Sequence, residues 1–225
     1  MIKRMAKRLL GDDSRRRLRS YEKRLRYAWR RQEIRLPLLL GQPLRIIVGA
    51  ALTHQKGWYS TNEQWLDIAS EQCWTDVFKG KALLTHVVAE HVFEHLTEPQ
   101  ARSALALIHR HMLPGALIRI AVPDGYHPDP GYLAQVGIAG KGPDAEDHKQ
   151  LLNADSLRRL LEDAGFTARQ LEGYRADGHL LLSQFDGRDG FIQRSRSNPE
   201  NMRGVAGWDF VDANTSLIMD GVKAR

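Results

Sequence analysis

Residues 82–125 read ALLTHVVAEHVFEHLTEPQARSALALIHRHMLPGALIRIAVPDG. Residues 82–89 form a nearly continuous apolar, β-branched run, the pattern of a strand buried on both faces of a parallel sheet. A helix is expected next. Thr97 can cap it, Pro99 falls in its first turn where a missing N–H costs little, and Ala101, Ala104, Leu105, Ile108 and Met112 repeat at helical spacing. Pro114-Gly115 is expected to stop it, and residues 116–122 read as a second strand ending at Pro123-Asp124-Gly125. The stretch is therefore a βαβ unit. Its two polar turns, Glu90-His91 and Asp124-Gly125, emerge at the carboxyl ends of neighbouring strands, where open α/β sheets bind ligands.

Working outward, residues 44–48 (LRIIV) read as a strand followed by Gly49-Ala50-Ala51. Downstream, residues 126–147 are a long Gly- and Pro-rich loop over the strand ends, expected to act as a substrate lid because loops of this length are usually functional or disordered. Asn153 to Ser156 opens a helix over 157–164 that Gly165 terminates, and strands are expected at 167–174 and 216–222. Residues 195–214 read as a surface insert carrying Trp208 and Phe210. This alternation of strands and helices points to the α/β class.

In their order along the chain, AEHVFEHL, the helix after it, LPGALIRIAVPDG and the Ala164-Gly165-Phe166 turn resemble class I S-adenosylmethionine (SAM)-dependent methyltransferases, in particular the small bacterial "predicted SAM-dependent methyltransferase" group. The likeness spans roughly residues 44 to 223. It implies a seven-stranded, mainly parallel, Rossmann-like sheet in the order 3-2-1-4-5-7-6, with residues 57–63 as its second strand, residues 65–68 as its short third strand, and SAM as cofactor. In that likeness Gly49, Ala50 and Ala51 form the loop against the methionine part of SAM, with Ala51 standing where the family has a second glycine. If the backbone turns to positive φ there, alanine is strained. Glu63 is expected to accept the ribose hydroxyls, with Asn62 as the neighbouring choice, because a carboxylate offers paired acceptor oxygens. Asp67 would accept the adenine amino group, or else cap the helix that follows, and the Ile68 backbone would meet the ring edge. Glu90 and His91 would line the site, with His91 as the proton acceptor and Asp124 and His148 beside it as catalytic candidates. Tyr126 and His127 would face the acceptor. The implied reaction is methyl transfer to an unidentified acceptor, with a small molecule or glycan favoured. The alternative keeps the fold without catalysis, a binding or scaffold protein with a degenerate glycine loop.

His91-Val-Phe-Glu94-His95 also matches H-x-x-E-H, in which two histidines one helical turn apart hold zinc and the glutamate acts as base. Its position directly after a buried strand, with no third ligand evident downstream, makes a peptidase a distant third reading, and no metal is expected.

The chain has 225 residues, a mass of 25.6 kDa and 42% hydrophobic residues, enough for one domain with a full core. Its net charge of +6 is unevenly placed. Residues 1–36 hold 14 Lys/Arg against 4 Asp/Glu, a balance of +10, so the remaining 189 residues hold 19 against 23, a balance of −4. A division into a basic helical arm (1–36) and a SAM-binding domain (37–225) follows. The arm, with Leu9, Leu10, Leu18, Tyr21, Leu25, Ala28 and Trp29 near one face, suits docking on its own domain, an oligomer contact, or peripheral contact with anionic membrane or nucleic acid. The single Cys73 cannot form an internal disulfide, the basic start lacks the apolar core of a secretory signal, and no apolar stretch is long enough to span a bilayer. A cytoplasmic protein is the expectation.

Overall fold

The structure, a computed structural model, describes residue 29 and residues 32–51, 53–142, 145–197 and 216–225. The arm before residue 29 and the greater part of the expected insert, with Trp208 and Phe210, lie outside the described residues.

Helix α1 covers residues 32–40. It is followed by β1 (Leu44–Val48), β2 (Tyr59–Ser60), α2 (Glu71–Phe78), β3 (Leu84–Glu90), α3 (Glu98–His111), β4 (Met112–Pro123), α4 (Pro130–Val136), α5 (Ala154–Asp163), β5 (Phe166–Tyr174), β6 (Leu180–Leu182) and β7 (Ser216–Lys223). The seven strands form one sheet in the order β2-β1-β3-β4-β7-β5-β6. β2, β1, β3 and β4 run parallel, and β7 is antiparallel to both β4 and β5. The order is that of the expected sheet from its second strand to its sixth. The third expected strand, residues 65–68, consists of turns, and β6, antiparallel to β5, supplies a seventh strand at the opposite edge.

The strand period of two divides the core into two layers. Ile46 and Val48 of β1, Val87 and Ala89 of β3, Ile118, Ile120 and Val122 of β4, and Leu217 and Met219 of β7 join the larger cluster, with Trp74 and Phe78 of α2, Leu105 and Ile108 of α3, and Leu157 and Leu161 of α5. Ile34 of α1 is 1% exposed in the same cluster, so this helix runs through the expected boundary at residue 36 and docks on the domain. Ile47, Val88, Ala121 and Ile218 point the other way and meet Trp58, Leu171 and Ile192. That second face is covered partly by an irregular segment. Arg119, 2% exposed, forks onto Asp220 of β7 (2.7 and 2.9 Å) and donates to the carbonyls of Asp186 and Gly190 (3.0 and 2.6 Å). Gly190 lies so close that a Cβ there would stand 2.5 Å from Val88 Cγ2.

The central βαβ unit forms as its local signals dictate. Thr97 caps α3 in a reciprocal capping box with Gln100, and Pro99 lies in the first turn. Pro114-Gly115 does not follow a stop but lies inside β4, which begins at Met112 directly after the helix. The expected lid is a packed segment. It contains α4, capped by Asp129, whose Tyr132 is fully buried and accepts the Asp124 N–H on its hydroxyl at 3.0 Å.

Candidate functional site

A cleft of about 580 Å³ opens at the carboxyl ends of β1 and β3, a volume suited to a small-molecule ligand. Three chain segments build it. The first is the turn after β1, where Gly49 takes φ +57° and a Cβ would meet Val92 Cγ2 at 2.5 Å, so that only glycine lets the two loops approach. The second is the turn pair after β2, which brings Glu63, Leu66, Asp67, Ile68 and Ala69 to the wall. The third is the turn from β3 into α3, contributing His91, Val92, His95, Leu96 and Gln100, with Asp147 and Lys149 closing the far side.

Five of the residues expected from sequence therefore share one cleft: Gly49, Glu63, Asp67, Ile68 and His91. Glu63 is exposed at the rim. Asp67 accepts the Ala69 N–H on Oδ1 at 3.0 Å, while Ser70, not Asp67, caps α2. The Ile68 carbonyl accepts the buried Trp74 indole N–H at 3.0 Å. Asn62 is buried with its Oδ1 bound by the Gln64 N–H at 3.1 Å, so it stabilises its own turn. Ala50 is buried and donates to the Thr61 carbonyl. Ala51 is exposed, takes φ +43° and lies outside the cleft wall.

His91 itself has φ +54°, a left-handed conformation that costs a non-glycine residue and is found preferentially at functional sites. Its Nδ1 lies 2.9 Å from Glu94 Oε1 and its Nε2 3.1 Å from the hydroxyl of buried Ser216, so the ring is held at both nitrogens. Burial alone would push the Glu94 carboxyl up, but His91 above all, with His95, holds it below its usual range. Residues 93–95 form a single 3-10 turn and α3 begins only at Glu98, so His91 and His95 do not share the helix that the H-x-x-E-H peptidase geometry requires.

The other expected residues make contacts with the surrounding loops. Glu90 accepts the N–H groups of Gln193 (3.0 Å) and Arg194 (2.8 Å). Burial pushes its carboxyl up, against the opposing pull of His91 and those two N–H groups. Asp124 is fully buried and joins the ends of β4 and β5, accepting from Tyr126 N at 2.9 Å and Tyr174 N at 2.6 Å. Its carboxyl is also raised, by burial above all. The Tyr126 hydroxyl donates to Asp155 at 2.6 Å, and the His127 ring lies against Tyr132 and Tyr174, where burial and Arg196 lower its pKa. His148 is buried, bonded through Nδ1 to the Val136 carbonyl at 2.8 Å, with its ring edge-on to His95.

A family model described as a methyltransferase domain matches residues 45–171, more than half of the chain. The chain belongs to this family of SAM-dependent methyltransferases. The methyltransferase is similar in fold to a SAM-dependent methyltransferase from Archaeoglobus fulgidus (15% identity, 90% of this chain and 98% of that one covered, TM-score 0.47). It is also similar to a SAM-dependent methyltransferase, possible histamine N-methyltransferase, from Thermotoga maritima (11% identity, 92% and 97% covered, TM-score 0.47). A third likeness is to the putative methyltransferase in a complex with the Haloferax volcanii Trm112 methyltransferase activator (13% identity, 92% and 94% covered, TM-score 0.43). No curated protein matches the chain.

The cleft of the methyltransferase fits its cofactor SAM. Gly49 keeps the first turn free of a side chain, Glu63 and Asp67 offer carboxylate oxygens for hydroxyl and amino donors, and Leu66, Val92 and Leu96 supply apolar wall. Sequence reasoning did not select Val92, Leu96, Gln100, Asp147 or Lys149 for this wall. The signal available for the first two was their place directly after the β3 turn. For Asp147 and Lys149 the neighbouring His148 was the one pointer.

Proposed function

We propose that this methyltransferase moves the methyl group of SAM to a small-molecule or glycan acceptor, with Gly49, Glu63, Asp67 and the Ile68 backbone holding the cofactor. The observation that carries the reading is the convergence of those four residues with His91 in one cleft at the strand ends. When bound, SAM supplies an electrophilic methyl on its sulfonium. The chain's task is then to hold an acceptor lone pair in line behind that methyl and to keep the two partners together, so positioning accounts for much of the rate. The polar part of the wall, Gln100, Asp147 and Lys149, favours a hydroxyl-rich acceptor over an apolar one.

Calorimetric titration with SAM tests the cofactor assignment. Glu63→Ala should weaken binding by about 1 to 3 kcal/mol through loss of charge-assisted hydrogen bonds, roughly 5- to 150-fold in Kd. A second reading, a binding or scaffold protein of the same fold, draws on Ala51, whose left-handed backbone occupies a place where the family has glycine. Absence of both heat and a thermal shift at millimolar SAM would decide for it. Release of demethylated cofactor in the presence of sugar or small hydroxylated acceptors would decide for the enzyme.

A further inference from the structure

Beside the cofactor cleft, Glu94, His95 and His148 each present one ligand atom, and these atoms all lie within 4.8 Å of one another. We propose that the three residues bind one divalent first-row transition-metal ion of the zinc or iron(II) class. Several independent features of the structure support the site.

The Glu94 carboxylate is 1% exposed. Its Oε1 forms an ion pair with His91 Nδ1 at 2.9 Å, and neither Oε1 nor Oε2 has a well-formed hydrogen bond among the described residues. A buried carboxylate oxygen without a donor is costly, and a cation is the partner that resolves it. His148 is prepared in the complementary sense. The Val136 carbonyl can only accept, so the 2.8 Å contact places the proton on Nδ1 and leaves the Nε2 lone pair free for a metal. His91 plays the same outer-shell part for Glu94, and Ser216 in turn fixes His91.

The ligands are also held in place by backbone. Lys149 N and Gln150 N donate to the Glu94 carbonyl (2.8 and 3.3 Å), and the Gln150 side chain donates to the Phe93 carbonyl (2.9 Å). These bonds bind the 3-10 turn that carries Glu94 and His95 to the segment that carries His148. Donors in a tetrahedral site with bonds of about 2.0–2.1 Å stand roughly 3.3 Å apart, and rotation of the half-buried His95 ring is the movement that closes the difference. Two imidazoles and one carboxylate suit zinc or iron(II), whereas calcium and magnesium call for oxygen ligands. With three protein ligands a coordination position stays open, and His95 also lines the cleft. The set differs from the H-x-x-E-H reading in both its members and their roles. Glu94 is a ligand rather than a base, His91 an outer-shell residue, and the third ligand comes from far downstream.

The test uses the full-length, tag-free chain. After treatment with a chelator and its removal, Zn²⁺ and Co²⁺ are titrated by calorimetry and, for Co²⁺, by visible absorption, with Mg²⁺ and Ca²⁺ as hard-cation controls. The expected result is one Zn²⁺ or Co²⁺ per chain, bound at least ~100-fold more tightly than Mg²⁺, and raising the thermal midpoint. His95→Asn, whose side chain is half-buried and whose fold is checked by circular dichroism, should lose at least about 10- to 100-fold in affinity, as should Glu94→Gln. Failure of the stripped wild-type chain to bind either ion overturns the site. So does binding that is unchanged in His95→Asn and Glu94→Gln. SAM titration of the metal-free chain is read separately, so loss of the metal site and loss of the methyltransferase reading give different results.

Discussion

Two residues apart, Gly49 and Ala51 both take left-handed backbone, yet they meet opposite consequences (φ +57° and +43°). At Gly49 any side chain meets Val92, so Gly49→Ala combines backbone strain with a clash at the cleft and should cost about 1–3 kcal/mol of stability together with SAM affinity. At Ala51 the strain is already present. Relief of a left-handed L-residue is worth roughly 1–2 kcal/mol, against about 0.4–1 kcal/mol for the extra freedom glycine gives the unfolded chain. The strain term wins, and Ala51→Gly should stabilise by about 0.5–1 kcal/mol while leaving SAM affinity within about twofold, since Ala51 lies outside the cleft wall. Urea unfolding midpoints and SAM titrations of the two variants check the pair, and a destabilised Ala51→Gly would show that the turn is not strained.

Among the elements, the segment 193–197 depends on two carboxylates at the ends of β3 and β5. Glu90 accepts two of its N–H groups. Glu172, fully buried, accepts the Arg196 and Ser197 N–H groups at 2.7 and 3.2 Å and both the Ser195 and Ser197 hydroxyls at 2.7 and 3.2 Å. Glu172→Ala would strand these donors, at a cost of about 1–3 kcal/mol for each buried one left unsatisfied. The prediction is a loss of roughly 2–4 kcal/mol in global stability, with faster proteolysis within the segment and little change in SAM affinity, because neither Glu172 nor the segment lines the cleft. Denaturant titration and limited proteolysis measure both effects. Undiminished stability would mean that water replaces the carboxylate without penalty.

Over the whole molecule, charge is divided between a strongly basic N-terminal region and a mildly acidic remainder, and no helix among the described residues is long and apolar enough to cross a membrane. We propose that the basic region makes peripheral contact with an anionic surface. Each Lys or Arg near such a membrane contributes on the order of 1 kcal/mol, screened within a Debye length of about 10 Å at 0.1 M salt. Ile34 belongs to the core and α1 packs on the domain, so the informative truncation ends before residue 32. Removal of residues 1–31 should leave SAM affinity unchanged but abolish salt-sensitive adsorption to anionic liposomes. If the full-length chain does not adsorb at low salt either, the basic region serves a fold or oligomer contact instead.

By itself the sequence determined β1, β3, β4 and β7, the capped helix α3 and the glycine turn at residue 49, because buried strands, helix caps and tight turns leave signals within a few neighbouring residues. It also carried the methyltransferase likeness, through the order of those local signals. Only tertiary structure decided what each polar residue meets. A carboxylate near a strand end looks the same whether it lines an open cleft, as Glu63 does, or accepts from the backbone of a distant loop, as Glu90 does. The same limit hid the absence of a strand at 65–68, the ordered helix α4 inside the expected lid, and the Arg119–Asp220 pair across β4 and β7. It also hid the approach of His148 to Glu94 and His95. Each depends on packing between segments far apart in the chain, and local pattern holds no record of which surfaces that packing brings together.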